Sequence, residues 1–233
     1  MSTTPVPHPH DVTEPPVYPR GTVRALLDTD HVTPATRAAL RARLADDPGA
    51  AAPRALDADA YAVLRAACAR LVPQPDRGTP DGDPPVDVAA MIDARLADGP
   101  GDGWRYAVLP ADAEAYRRGL AALDAHARAT FGAPFAALDG AARDAALGAA
   151  QRGAVGDDPL GVPGWAGGPA ARWFEELLAE ACECYYSHPL AQEEIGYAGM
   201  ADVPAWRALG LDVVDPREPR PVEPRPLGAA ARG

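Results

Sequence analysis

The sequence predicts an all-α protein, an irregular helical domain of about six helices with extended, Pro-rich arms at both ends. Apolar residues recur at helical spacing in several windows. Asp or Thr stands before many of these windows, and Pro or Gly stands behind them. No run alternates as a strand would, and no repeat appears at solenoid periods.

Taken in order, Met1 to Arg20 is rich in Pro and Thr and is expected to be an extended arm. A short helix is expected across Val23 to Leu27. Thr33-Pro34 reads as a helix start, with Thr as N-cap and Pro at the first helical position. That helix carries Ala39, Leu40 and Leu44 and should stop near Asp46 to Gly49. A stronger helix begins near Asp57 or Asp59 and runs to Val72, where Pro73 ends it. Gln74 to Pro85 is a loop dense in Pro, Gly and Asp. Val86 to Leu96 is helical, with Val88, Met91, Ile92 and Leu96 on one face and Gly99 as its stop.

After the turn region Pro100 to Pro110, the clearest helix runs from Asp112 to Thr130, with Tyr116, Leu120, Leu123 and Ala127 in register. Gly119 inside it costs about 1 kcal/mol relative to Ala, which suggests a close helix approach. Leu138-Asp139 caps a helix to about Arg152. A Gly-rich loop follows, and the last long helix spans Pro169 to Tyr186 with Phe174, Leu177, Leu178, Ala181 and Tyr185 inward. The expected organisation is an arm at 1–20, N-terminal helices at 21–54, a helical core at 55–200 and a Pro-rich tail at 201–233. The prolines of that tail favour polyproline II.

A chain of 233 residues holds one domain with tails or two very small ones. Its 24% charged and 47% hydrophobic residues are a globular balance. All 22 basic residues are Arg, Asn is absent, and serine occurs only at Ser2 and Ser187. Coding from a GC-rich genome accounts for that bias, which runs through every segment. The net charge of −11, with Arg interleaved among Asp and Glu, argues against nucleic acid as a partner. The start shows no apolar run and no twin arginine, so a cytoplasmic location is expected. No window approaches the roughly 20 apolar residues of a membrane span.

The residue types that could carry chemistry do not assemble into a known site. Cys68 shares the apolar stripe of Tyr61, Leu64 and Leu71 and is expected in the core. Cys182 and Cys184 are two apart on a helix, so they point to nearly opposite faces and cannot close on one metal ion. Ser187-His188 lacks the G-x-S-x-G setting of a serine nucleophile. His188, Glu193 and Glu194 match no established metal-ligand spacing. His188 reads instead as part of a helix terminator, near a helix C-terminus where the dipole favours it. Asp76, Asp81, Asp83 and Asp87 form an acidic loop without the calcium-loop pattern. His8 and His10 lie in the N-terminal arm. Glu175-Glu176 and Glu193-Glu194 read as solvated helix faces. No G-x-G-x-x-G or Walker loop is present.

Several segments, in order, resemble the gluconate 2-dehydrogenase subunit 3 family. Leu71-Val72-Pro73, closing the helix that starts at Asp57, is similar to its helix followed by a Pro-ended turn, and VDVAAMIDARL (Val86 to Leu96) to its next helix, with an apolar residue followed by Asp. YRRGLAALDAHARATFGAPFAAL (Tyr116 to Leu138) resembles its Gly-Leu helix and Phe-Gly turn. Trp173-Phe174-Glu175 and Tyr185-Tyr186-Ser187-His188-Pro189 resemble its last long helix and exit. Ile195-Gly196-Tyr197-Ala198-Gly199 resembles its closing I-G-Y-P-G, although the Gly-Gly-Asn stretch and Trp before that motif are replaced by Leu190 to Glu194. An export signal of the kind many members carry is not expected from the residues at the start.

The resemblance implies a noncatalytic small subunit that binds and stabilises an FAD-dependent oxidoreductase of the glucose-methanol-choline (GMC) type, acting on a sugar, polyol or related alcohol. It implies FAD in the partner and no cofactor in this chain, and co-export with a signal-bearing partner is open. Interfaces favour aromatic anchors with Arg. The expected contact residues are therefore Trp173, Tyr185, Tyr186, His188, Tyr197, Trp206 and Arg207, with the domain's own core as the competing role for Trp173 and Tyr185. Two other readings stay open: a free-standing helical metalloenzyme using His188 and nearby carboxylates, and an adaptor that reaches another partner through the tail from Asp215.

Overall fold

The computed structural model describes residues 18–45, 52–75, 77–78, 82–99, 106–156 and 165–197. Among them are eight α-helices: α1 (Thr22–Leu26), α2 (Pro34–Ala45), α3 (Ala58–Leu71), α4 (Val88–Asp98), α5 (Asp112–Phe131), α6 (Gly140–Gln151), α7 (Gly168–Tyr186) and α8 (Pro189–Glu194). A 3-10 turn, Phe135–Ala137, lies between α5 and α6. The fold class is all-α, and the described residues contain no strand. The expected arms fall outside them except for Tyr18 to Arg20.

The helix starts are set by short-range chemistry. Asp57, Asp87 and Asp139 each accept the N–H three residues on, from Ala60 at 2.8 Å, Ala90 at 3.0 Å and Ala142 at 2.9 Å. Each thereby satisfies one of the donors that a helix start leaves unpaired. Because Asp87 is the cap, α4 begins at Val88 and not at the expected Val86. Val86 is held instead by the Gln74 amide, which donates to its carbonyl at 3.0 Å and accepts from its N–H at 2.8 Å. The side chain of Gln74 thus imitates one rung of a β-ladder and fastens the loop between α3 and α4.

The chain divides into two compact units. The larger runs from Asp47 to Ser187 and holds α3 to α7. The smaller joins Met1–Asp46 to His188–Gly233, and its described part holds α1, α2 and α8. The last family-like segment therefore folds with the N-terminal helices, across the limits expected at 21–54 and 55–200.

In the larger unit α7 is the hub, with α3, α4, α5 and α6 all packed on it. Leu64, Ile92, Leu120, Leu123, Phe135, Trp173 and Leu177 are fully buried. Each such side chain contributes about 1.5–3 kcal/mol through removal from water. At the centre the Trp173 indole lies against Gly119 of α5. A Cβ at position 119 would sit 2.0 Å from the ring, so the close approach expected from Gly119 is real, and it exists to admit Trp173.

Polar groups fix the periphery. Asp93, 2% exposed, accepts the N–H groups of Arg54 at 2.5 Å, Ala55 at 3.1 Å and Leu56 at 2.9 Å, and so orders the approach to α3. Asp124 accepts from Phe135 N–H at 2.8 Å and holds the 3-10 turn. Arg70 grips Asp144 through two bonds of 2.7 Å, tying α3 to α6, and Arg54 pairs with Asp98. In the smaller unit Val23, Leu27, Val32 and Leu40 form the core, with Leu44 against it. Arg37 closes the α1–α2 turn by donating to the carbonyls of Leu27, Thr29 and Val32.

Gly119→Ala is expected to destabilise the larger unit by about 1–3 kcal/mol, because the clash is with a buried ring and not a flexible tip. Urea unfolding followed by Trp fluorescence measures it, and a wild-type midpoint in the variant contradicts the packing. Acid should weaken the surface clamps. Bonds from Arg54 and Arg70 hold the Asp98 and Asp144 carboxyls below their ordinary 3.8. Arg118 and Arg172 do the same for Glu114 and Glu175, below 4.5. Lowered folded-state values mean stabilisation that is complete above the ordinary values and lost as pH falls through the folded ones. A thermal midpoint that declines below that range, with added salt shrinking the decline, is the expected result.

Candidate functional site

The segment that carries the strongest sequence signature is α8 with its turn. His188 is the N-cap of α8: its Nδ1 accepts the Leu190 N–H at 3.2 Å. An accepting Nδ1 places the ring proton on Nε2, which donates to the Arg43 carbonyl at 2.8 Å. His188 therefore starts a helix as a neutral ring, beyond its expected place at the end of α7. Ser187 caps α7, its Oγ donating to the Cys184 carbonyl at 2.8 Å.

The closing Ile195-Gly196-Tyr197 is a Schellman cap. Tyr197 N–H reaches the Gln192 carbonyl at 2.9 Å, and Gly196 N–H reaches that of Glu193 at 3.3 Å. Gly196 takes φ +61°, and a Cβ there would lie 2.5 Å from the Tyr18 ring. The glycine of I-G-Y is thus demanded twice, by the backbone and by the aromatic ring that covers it.

Glu193, expected on a solvated face with Glu194, is buried, with 5% of its surface exposed. Its Oε1 accepts from the backbone N–H and the Nε of Arg24, and its Oε2 from Arg24 Nη2, all at 3.1 Å. The reason is tertiary: α1 lies on that side of α8. Only Glu194 remains exposed.

The residues expected at a partner surface separate by burial. Trp173 (0% exposed) and Tyr185 are core residues of the larger unit, with Tyr185 edge-on to Tyr186 at 5.1 Å and the Arg77 guanidinium 5.9 Å from its ring centre. His188 is buried in the smaller unit. Tyr186 (45%) and Tyr197 (39%) are exposed. Trp206 and Arg207 lie outside the described residues. Ile195, 48% exposed, is a surface apolar residue that the sequence reading did not single out. The I-G-Y signature, of which Ile195 is the first residue, held the signal.

The groups able to do chemistry are engaged in structure. Both nitrogens of His188 are occupied, and Glu193 is neutralised by Arg24. Cys184 is buried and Cys182 half-buried, in keeping with opposite helix faces. Burial pushes the Cys68 thiol far up and that of Cys184 to about 12, the latter against the opposing pull of Arg95. Tyr116 is driven up by burial as well, so it is a neutral phenol in the core. A small cleft of about 230 Å³ beside the first turn of α4 is lined by Arg65, Cys68, Gln74 and Asp87, the last two already bonded to backbone. Among the described residues no three His, Cys, Asp or Glu side chains converge as a metal site would require. Of the acidic loop, Asp87 is a helix cap, and Asp76 and Asp81 lie outside the described residues.

Caps, packing glycines and a buried ion pair define a small all-α protein whose signature residues shape the fold. Residues 58–201 match the family described as Gluconate 2-dehydrogenase subunit 3, and the chain belongs to that family. The matched range opens with α3 and takes in the closing motif, leaving α1 and α2 outside it. No curated protein and no solved structure matches the chain.

Thiol reagents test the burial pattern. At mildly alkaline pH the folded protein should react quickly at Cys182 alone, and Cys182→Ser should abolish that phase, with Cys68 and Cys184 reacting only after denaturation. Fast reaction of Cys68 or Cys184 in the native state contradicts it.

Proposed function

We propose that this chain is a noncatalytic small subunit that binds and stabilises an FAD-dependent, GMC-type oxidoreductase acting on a sugar, polyol or related alcohol. Family membership across residues 58–201 carries this reading, since the family's description is that of a dehydrogenase subunit. The site chemistry supports it: the signature residues are used as caps, core and ion pair. In this reading FAD belongs to the partner, and the partner dictates the substrate.

Tyr186 at the end of α7 and the exposed Ile195 and Tyr197 of the closing turn are the proposed contact residues, each apolar and solvent-exposed in the chain alone. Aromatic anchors of this kind carry a large share of interface energy. Trp173 and Tyr185 would support Tyr186 from within the larger unit, and His188 would support the closing turn within the smaller.

The test is gentle capture of the tagged chain from its native host, followed by the visible spectrum and identification of what comes with it. A yellow complex containing a large flavoprotein is the expected result; a folded, colourless, solitary chain overturns the reading. Given the partner, Tyr186→Ala and Tyr197→Ala should each weaken binding by about 1–2 kcal/mol, a factor of roughly 5–30 in Kd, without changing the thermal midpoint of the chain alone.

A further inference from the structure

We infer that residues 18–45, which lie outside the family match, are an intramolecular clasp that makes the order of the closing motif conditional on the N-terminus. Three contacts fasten it, and all belong to the smaller unit. Arg24 of α1 surrounds the buried Glu193 carboxylate with three hydrogen bonds. The Arg43 carbonyl at the end of α2 receives the His188 ring proton. Tyr18 lies over Gly196, so close that no side chain fits between them.

Neither short helix of this arrangement can persist by itself. The helix α8 has six residues and α1 has five, both far below the length at which an isolated helix is stable in water. The two meet across 169 residues of sequence, so α8 is ordered by α1, which the α1–α2 core steadies and α8 completes. Glu193 adds a penalty for partial opening. With Arg24 withdrawn, a carboxylate stays buried without its counter-charge, so the pair is either fully closed or fully released. The larger unit has its own core in α3 to α7 and does not depend on the clasp. Opening is then a local transition of one unit, of the kind seen as separate cooperative blocks in hydrogen exchange.

The consequence is a conformational gate. Within the family-matched range, the described residues after Ser187 are those that fold with the clasp, and they include Ile195-Gly196-Tyr197 of the closing motif. Loss or displacement of 18–45 disorders that motif and leaves the rest standing. The clasp is a property of the isolated chain, whichever partner binds it.

Hydrogen exchange read by mass spectrometry on the full chain tests it, comparing wild type with Arg24→Ala and with the milder Glu193→Gln. In both variants α1 and residues 189–197 should lose protection together, by at least tenfold in Arg24→Ala and less in Glu193→Gln, while α3, α5 and α7 stay at wild-type rates. Three results overturn the clasp: exchange in 189–197 unchanged while α1 opens, neither segment affected, or protection lost throughout α3 to α7.

Discussion

The bare backbone of Gly119 under the Trp173 indole is the contact on which the larger unit depends. It sets how closely α5 approaches α7, and α7 is the surface on which α3, α4 and α6 also rest. A glycine in mid-helix is a local cost of about 1 kcal/mol. The cost is offset because the vacated space receives the largest side chain of the core. Close-packed interiors do not adjust smoothly to an extra methyl group, so the contact is either made in full or the helices move apart.

Around that core, carboxylates act mainly as acceptors for backbone N–H groups. Asp57, Asp87 and Asp139 begin helices, Asp93 orders three successive amides, and Asp124 pins the 3-10 turn. An acidic chain in which basic residues are all Arg suits this division of labour. Acids satisfy the orphan donors of helix starts, and planar guanidinium forks grip carboxylates or several carbonyls at once. Arg70 on Asp144 and Arg37 on its three carbonyls are instances of the two uses. Such chemistry builds shape, which agrees with membership in a family of dehydrogenase subunits.

Much of the larger unit was legible because its signals are local. The stripe Tyr116, Leu120, Leu123, Ala127 and the caps at Asp57 and Asp139 lie within a few residues of what they determine. The separation of Cys182 from Cys184 follows from helix geometry alone. The smaller unit was less legible for the same reason. At six residues α8 is too short to show a period, and its cap is a histidine, which also reads as a terminator. The pair Glu193-Glu194 looks like a solvated face until α1 arrives, 169 residues away in sequence. Val86 looked helical by pattern, but Gln74 claimed its backbone groups.

The helical class, most helix limits, the family and the importance of Gly119 and of I-G-Y can be read from the chain of residues, because each is written in spacing or in a residue type with one physical use. Which residues those features serve emerges only when the helices pack. Packing assigned Trp173 to Gly119, Tyr18 to Gly196 and Arg24 to Glu193, and it placed the closing motif with the N-terminal helices. Such pairings depend on which surfaces meet once water is excluded, and burial of a charge or a ring is a property of the partner as much as of the residue.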